Sequence, residues 1–399
     1  MDFDFLTRDL LTRAQSAMGG FRQLVEEAAP NPLDLDPLLA TARPFGHAKR
    51  LAEEFTIAGV DGSGESPVFQ QDDVFMHFVI AAGTLFRTKS NRQHKLATIT
   101  LENALHRDFV NLRDQVASVR EAYGAYLKRL TGKTPKDLAR ESDYVQVFNA
   151  TSERHHISED GVTLSRMAFP KASEIASHAY QIRSLAELGL AYCLLEHRPD
   201  YLLIDTSLVY FLLGESIYLP ELLKRALVCR ANAQGTAVVA LCKSHNIPNG
   251  DLIARRLREE RGLADHWCLR LPSEALGEER PSWLAEKEVP PKLCVSYLLK
   301  FHATDFPMRV DLDADCWRER IGGDPDKERR FFEDLDYTCH DSRSYGYPYP
   351  LRAAHRRSAL TRPERVALKD VVQRLAARDG LLPNGVVSRD PESVHMGGI

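Results

Sequence analysis

The chain has 399 residues, 44% hydrophobic and 27% charged, enough for one large elaborated core or for two or three domain-sized units. Its 52 Lys and Arg against 56 Asp and Glu leave a formal charge of −4, which excludes a polybasic histone-like binder and a strongly acidic solvating chain. A nucleic-acid enzyme stays open, because such enzymes can confine positive charge to one groove.

Asp2, Asp4 and Asp9 stand where a secretory signal carries a basic cap. Phe5, Leu6, Leu10, Leu11 and Ala14 recur at helical spacing, and a proline-rich break follows at Pro30, Pro32 and Pro37. Thr56–Val60 is a short strand that runs into Asp61-Gly62-Ser63-Gly64, which the sequence predicts as a tight turn. Val74–Phe86 is a second strand, hairpin-paired with the first. It is the longest apolar stretch, but His77 interrupts it and Arg87 and Lys89 follow. It falls short of the ~18–20 residues of a membrane span. Seven scattered cysteines, an odd count with no CxxC pair, fit reduced thiols of a cytoplasmic protein with neither a disulfide framework nor a zinc site.

Residues 87–170 read as a polar, largely helical insertion, with a long helical pattern over Leu101–Leu130 and an exposed loop at Arg154–Gly161. From Lys171 the pattern is regular. Helices are expected at Ile175–His197, Pro220–Ala233 and Asn249–Arg261, alternating with strands at Tyr201–Asp205 and Ala237–Cys242. Further strands are expected at Lys292–His302 and Met308–Leu312, then a helix at Thr361–Ala377 and a loose tail. This alternation implies an α/β fold with a partly parallel sheet covered on both faces.

Three carboxylates stand out by placement. Asp61 and Asp205 each end an apolar strand, the usual functional edge of an α/β sheet, although Asp also favours turns there. Glu187 interrupts an apolar helix stretch, where the alternative is a solvated helix face. From Glu187 to His197 the helix descends about 15 Å. From Tyr201 the strand climbs back about 13 Å to Asp205, so the two return to one level. Clustered carboxylates repel and resist desolvation unless a cation neutralises them, and hard divalent ions take such oxygen ligands.

Farther on, Pro348 and Pro350 open a helix that carries His355 beside Arg352, Arg356 and Arg357, with Tyr347 just before it. A histidine near an acidic cluster can bind a metal or move protons, and the arginines can hold phosphates. Lys243-Ser244, after the strand Ala237–Cys242, is a further candidate for phosphate contact or a plain turn.

The order of strand-VDGS, a helical Glu, LIDTSL, strand-CKS and GYPYPLRAAH resembles the NurA nucleases, from about Thr56 to His355. The resemblance implies a ribonuclease H-like mixed sheet flanked by helices, with a helical insertion. It divides the chain into a helical segment (1–50), a nuclease domain (51–360, insertion at about 87–170) and a C-terminal helix and tail (361–399). It also implies Mn²⁺- or Mg²⁺-dependent DNA cleavage with two ions, as a 5′–3′ exonuclease and single-strand endonuclease. The implied setting is end processing, repair or anti-phage defence, by a homodimer working with a HerA-type hexameric ATPase. On this resemblance Asp61, Glu187 and Asp205 are metal ligands with His355, and Tyr347 completes the catalytic set. Lys243, Arg352, Arg356 and Arg357 are the expected DNA contacts. Thr206 is a departure, since the family more often has glycine after this aspartate, and a side chain there restricts close backbone approach.

Rival readings are a non-catalytic scaffold or DNA-binding subunit of a translocase complex, and an actin-like phosphotransferase. The second needs another glycine-rich loop, and Leu203–Leu208 has no glycine. Thr131-Gly132-Lys133-Thr134 is only a partial Walker A string, lacks the preceding glycine and ends a helix, so it reads as a helix boundary. No G-x-S-x-G elbow is present.

Overall fold

A computed structural model describes residues 10–18, 35–46, 51, 53–90, 94–102, 104–151, 156–208, 217–243, 247, 250–272, 293–302, 306–344 and 346–381. Helices α1 (10–18) and α2 (Leu35–Ala40) precede a two-residue strand β1 (Arg43–Pro44). Strands β2 (Thr56–Gln71), β3 (Val74–Arg87), β4 (Ala97–Ile99) and β5 (Leu105–Arg113) follow, then α3 (Val116–Thr131), α4 (Pro135–Arg140) and α5 (Tyr144–Thr151). The alternating part is α6 (Ile175–Leu194), β6 (Tyr201–Ile204), α7 (Leu219–Gln234), β7 (Ala237–Cys242) and α8 (Gly250–Arg261). It ends with β8 (Trp267–Arg270), β9 (Cys294–Lys300), β10 (Met308–Asp313), α9 (Ala314–Arg320), α10 (Pro325–Cys339), α11 (Tyr349–Ser358) and α12 (Arg362–Arg378).

The strands form one mixed sheet in the order β1-β8-β9-β10-β7-β6-β2-β3-β4, with β5 also on β3. β5, β3 and β2 are antiparallel neighbours, and β2, β6 and β7 run parallel. Helices flank this sheet and α3–α5 form a helical insertion, the ribonuclease H-like arrangement expected from the sequence. The partial Walker string is a helix boundary. Gly132 closes α3 at φ 72°, and Thr134 caps α4 reciprocally with Asp137.

Two expectations are corrected. The segment Asp61-Gly62-Ser63-Gly64 is not a turn; it continues β2 and pairs with Ala82–Val79 of β3. The chain reverses instead at Asp72 and Asp73, with Asp72 at φ 49°. Leu101–Leu130 is not one helix. Leu105–Arg113 is the third antiparallel strand, with Val110 and Leu112 buried in alternation, and the helix begins only at Val116. That short period-2 pattern was overshadowed by the longer helical one beside it. Phe3, Phe5 and Leu6 of the expected N-terminal helix lie outside the described residues, while Leu10, Leu11 and Met18 of α1 are exposed. No helix among the described residues is long and apolar enough to cross a membrane.

Both faces of the central strands are covered, which explains their unbroken apolar runs. Ala58, Val60, Leu202, Ile204, Val238 and Ala240 join the core under α3, α6 and α7. Their neighbours Ile57, Tyr201, Leu203, Ala237, Val239 and Leu241 join the core under α10 and α11. Gly59 belongs to the second face. A Cβ there would stand 2.6 Å from the Pro350 carbonyl carbon, so only glycine admits the first turn of α11 against the sheet. Thr84 Oγ1 fixes that approach by donating to the Pro350 carbonyl at 2.9 Å. We expect Gly59→Ala to push α11 off β2 and lower stability by about 1–3 kcal/mol. Urea unfolding checks this; an unchanged midpoint contradicts the close-packing argument.

Candidate active site

Parallel pairing of β2 and β6 aligns Val60 with Ile204, so Asp61, still paired with β3, stands beside Asp205, the residue after β6. The register is pinned at the other end, where Asp200 Oδ2 accepts from Thr56 N at 2.7 Å and from Thr56 Oγ1 at 2.8 Å. By the strand alternation Asp61 points to the α11 side, and there His355 Nδ1 lies 2.6 Å from its Oδ2. Ser358 Oγ adds a contact at 3.4 Å to the same oxygen. Glu187 comes from α6 on the opposite face and reaches the same edge beneath Gly62. A Cβ at Gly62 would meet Glu187 Cγ at 2.8 Å and Oε1 at 2.9 Å, which is the steric reason for glycine beside the aspartate.

Each carboxylate has its own nitrogen-bearing neighbour. Asp61 has His355, Asp205 has Lys243 Nζ at 3.3 Å, and Glu187 has Arg183 Nε at 3.6 Å. These partners do not cancel desolvation. Burial pushes the Glu187 carboxyl up to about 8, with Asp61 and Asp205 adding and Arg183 and the Gly62 N–H opposing. Burial also raises Asp205, with Asp61 adding and Lys243 and His355 opposing. All three carboxylates therefore sense one another across one buried edge.

Tyr347 closes the cluster. Burial, Asp205 and Asp61 together hold its phenol protonated, and Lys243 Nζ sits 4.2 Å from its ring centroid. Its buried hydroxyl has no hydrogen-bond partner among the described residues. That is costly unless another group fills the space. Three carboxylate oxygens and a phenol are hard donors suited to Mg²⁺ or Mn²⁺.

The expected basic residues fall into two kinds. Lys243 is exposed beside Asp205, while on α11 Arg352 is partly exposed and Arg356 exposed. Arg357 is also exposed, but its Nη1 donates to the Gly83 carbonyl at 2.8 Å and so also braces α11 on β3. Ser244 lies outside the described residues.

Sequence reasoning missed the supports. Arg183 lies one helical turn before Glu187, a spacing that could have revealed it. Asp311, fully buried on β10, accepts from Ser207 Oγ at 2.9 Å and Leu208 N at 3.0 Å, and so anchors the loop after Asp205. Ser296 Oγ and Arg309 Nε satisfy its other oxygen at 2.5 and 2.9 Å. Nothing local in the sequence pairs positions 207 and 311. A separate group, His266, Asp336 and His340, is the described cluster whose donor atoms all lie within 4.8 Å of one another, a candidate metal-binding triad.

No protein-family model matches the chain, and no curated protein sequence does. In fold the chain is similar to the NurA nuclease from Sulfolobus solfataricus, with TM-score 0.48 and 12% identity over 95% of this chain and 98% of that one. It is also similar to a NurA structure with manganese (TM-score 0.38, 11% identity, 94% and 99% covered). A third is NurA bound to dAMP and manganese (TM-score 0.36, 11% identity, 96% and 97% covered).

Glu187 makes stability pH-dependent in the metal-free protein. Its folded pKa of about 8 exceeds the ordinary 4.5, so its stabilising share is complete below pH 4.5 and is lost as pH rises through 8. Glu187→Gln should flatten the decline of stability above pH 5 and gain about 1–3 kcal/mol at pH 9 in chelator. Urea unfolding from pH 5 to 9 measures it; superimposable wild-type and variant profiles contradict it.

Proposed function

We propose that this protein is a metal-dependent deoxyribonuclease hydrolysing phosphodiester bonds at the Asp61–Glu187–Asp205 edge. The supporting observation is the convergence of buried Asp61 of β2, buried Glu187 of α6 and partly buried Asp205 just after β6 beside a buried phenol hydroxyl with no hydrogen-bond partner among the described residues. Such a donor set is expensive without bound cations. Two divalent ions held by it would supply the charge for in-line attack on phosphorus and for stabilising the leaving oxygen.

The chain's own groups have separable tasks. Asp61 of β2 and Asp205 just after β6 would be the ligands of shortest reach. Glu187, whose carboxyl burial raises to about 8, would have to give up its proton to serve as a ligand. His355 donates from Nδ1 to Asp61 and keeps Nε2 for proton exchange on a side chain 57% exposed. Tyr347 Oη offers a hydrogen bond to a phosphate or hydroxyl oxygen. Lys243, Arg352, Arg356 and Arg357 give the rim the positive charge that a strand of DNA requires, on a chain whose net charge is −4.

The sequence resemblance extends the proposal to DNA as substrate, to 5′–3′ resection and single-strand cutting, and to a homodimer. It also suggests a HerA-type ATPase in trans, because the chain's single partial Walker string is a helix boundary. The exposed Leu10 and Leu11 of α1 are the proposed contact for that assembly.

Cleavage of end-labelled single- and double-stranded DNA tests the core of the proposal. We expect activity with Mn²⁺ or Mg²⁺, none in chelator, and a loss of about a thousandfold or more in Asp61→Asn and in Asp205→Asn. Cleavage in chelator, or wild-type rates in either variant, contradicts it. Arg356→Glu should weaken binding alike on all sequences and reduce its salt dependence, as read by fluorescence anisotropy.

A further inference from the structure

We infer that His266, Asp336 and His340 form a second metal site, distinct from the carboxylate edge and suited to a borderline transition ion such as Zn²⁺. Asp336 and His340 are four residues apart on one face at the end of α10, and His266 comes from the residue before β8. Asp336 Oδ1 lies 3.2 Å from His340 Nε2 and 3.6 Å from His266 Nε2. With metal–nitrogen bonds of about 2.0–2.1 Å, the ligand–ligand edge of a tetrahedron is roughly 3.3–3.4 Å, so these separations bracket what a tetrahedral ion requires.

The surroundings complete the pattern. His266 Nδ1 lies 3.2 Å from Asp265 Oδ1, the carboxylate that a metal-bound imidazole commonly engages through its other ring nitrogen. Asp336 is fully buried, while the side chains of His340 and His266 are 8% and 19% exposed. Two imidazoles with one carboxylate are softer donors than the all-oxygen edge, which favours zinc over magnesium. The site is also remote from the carboxylates. His266 sits at the same edge of the sheet as Asp205, but β8 lies four strand spacings from β6, about 19 Å.

Such an ion would fasten the end of α10 to the start of β8. Just beyond His340, Asp341 accepts from Leu96 N at 3.0 Å and pairs with Arg343, whose guanidinium carbon stands 3.8 Å from the Tyr349 ring centroid. This segment delivers Tyr347 and α11 to the candidate active site, so the metal's role is structural support.

Titration of the chelator-stripped full chain with Co²⁺ and Zn²⁺ tests the inference, using wild type, His340→Gln, His266→Gln and Asp205→Asn. The expected result is one Co²⁺ per chain at this site with the visible d–d band of a four-coordinate ion, beyond any ion taken up by the carboxylate edge; the band is retained in Asp205→Asn and absent from both histidine variants. Zn²⁺ should raise the midpoint of thermal unfolding by roughly 3–6 °C in wild type and Asp205→Asn only. The metal-free midpoints of the histidine variants serve as the folding control, and if one is depressed the other decides. A Co²⁺ band that persists in a folded histidine variant, or wild type that takes up no ion except one abolished by Asp205→Asn, overturns the site. Neither result bears on whether the carboxylate edge cleaves DNA.

Discussion

Two aspartates on adjacent parallel strands, with a glutamate pressed against the same edge, cannot all ionise in a desolvated site without positive charge nearby. The rest of the local structure is organised around that constraint. Each carboxylate has one nitrogen-bearing side chain beside it, and burial drives Glu187, whose Arg183 partner stands 3.6 Å off, up to about 8. Lys243 is shared between Asp205 and the face of Tyr347, so one ammonium group moderates both the strand carboxylate and the phenol beside it.

The convergence depends on backbone placement more than on side-chain reach. The Asp200–Thr56 contacts at the start of β2 and β6 set the parallel register, and a slip of one residue would turn Asp61 to the opposite face. Two glycines then let the helices close in from both sides. Gly59 admits α11 with His355, and Gly62 admits Glu187 from α6. Asp311 holds the loop after Asp205 from a strand more than a hundred residues later. The acidic edge is thus supported from both faces and from the neighbouring strand.

Much of this was legible in the sequence, and for identifiable reasons. The alternation from Ile175 to Arg261 reads cleanly because each strand is short, apolar and bounded by polar turns. The climb from Glu187 to Asp205 was computable because a straight helix and a straight strand have fixed rises. The continuation of β2 through Gly62 and Gly64 was not legible. Glycines there signal a turn locally and become strand residues only through pairing with Ala82–Val79. Pairings such as Ser207 with Asp311, or His266 with Asp336, join residues far apart in the chain and leave no periodic trace. The helical spacing of Asp336 and His340 was visible, but without its distant histidine it marked nothing.

The two edges of the sheet handle buried charge in different ways. At the edge where β2 and β6 begin, pairs are short and closed. Buried Arg225 holds Asp143 through Nε and Nη2 at 2.5 and 2.8 Å and Asp313 through Nη1 at 2.7 Å, and Asn232 satisfies the other Asp313 oxygen at 2.8 Å. Such a network ties the helical insertion to β10, and breaking it would strand a buried charge. At the opposite edge the partners of Asp205 and Glu187 are longer, at 3.3 and 3.6 Å, and the Lys243, Arg183 and His355 side chains are about half exposed. Side chains in that state exchange readily with water or with incoming ions, because they give up little solvation and little geometry on leaving. The closed edge therefore supplies rigidity, and the open edge keeps its carboxylates available for ligands.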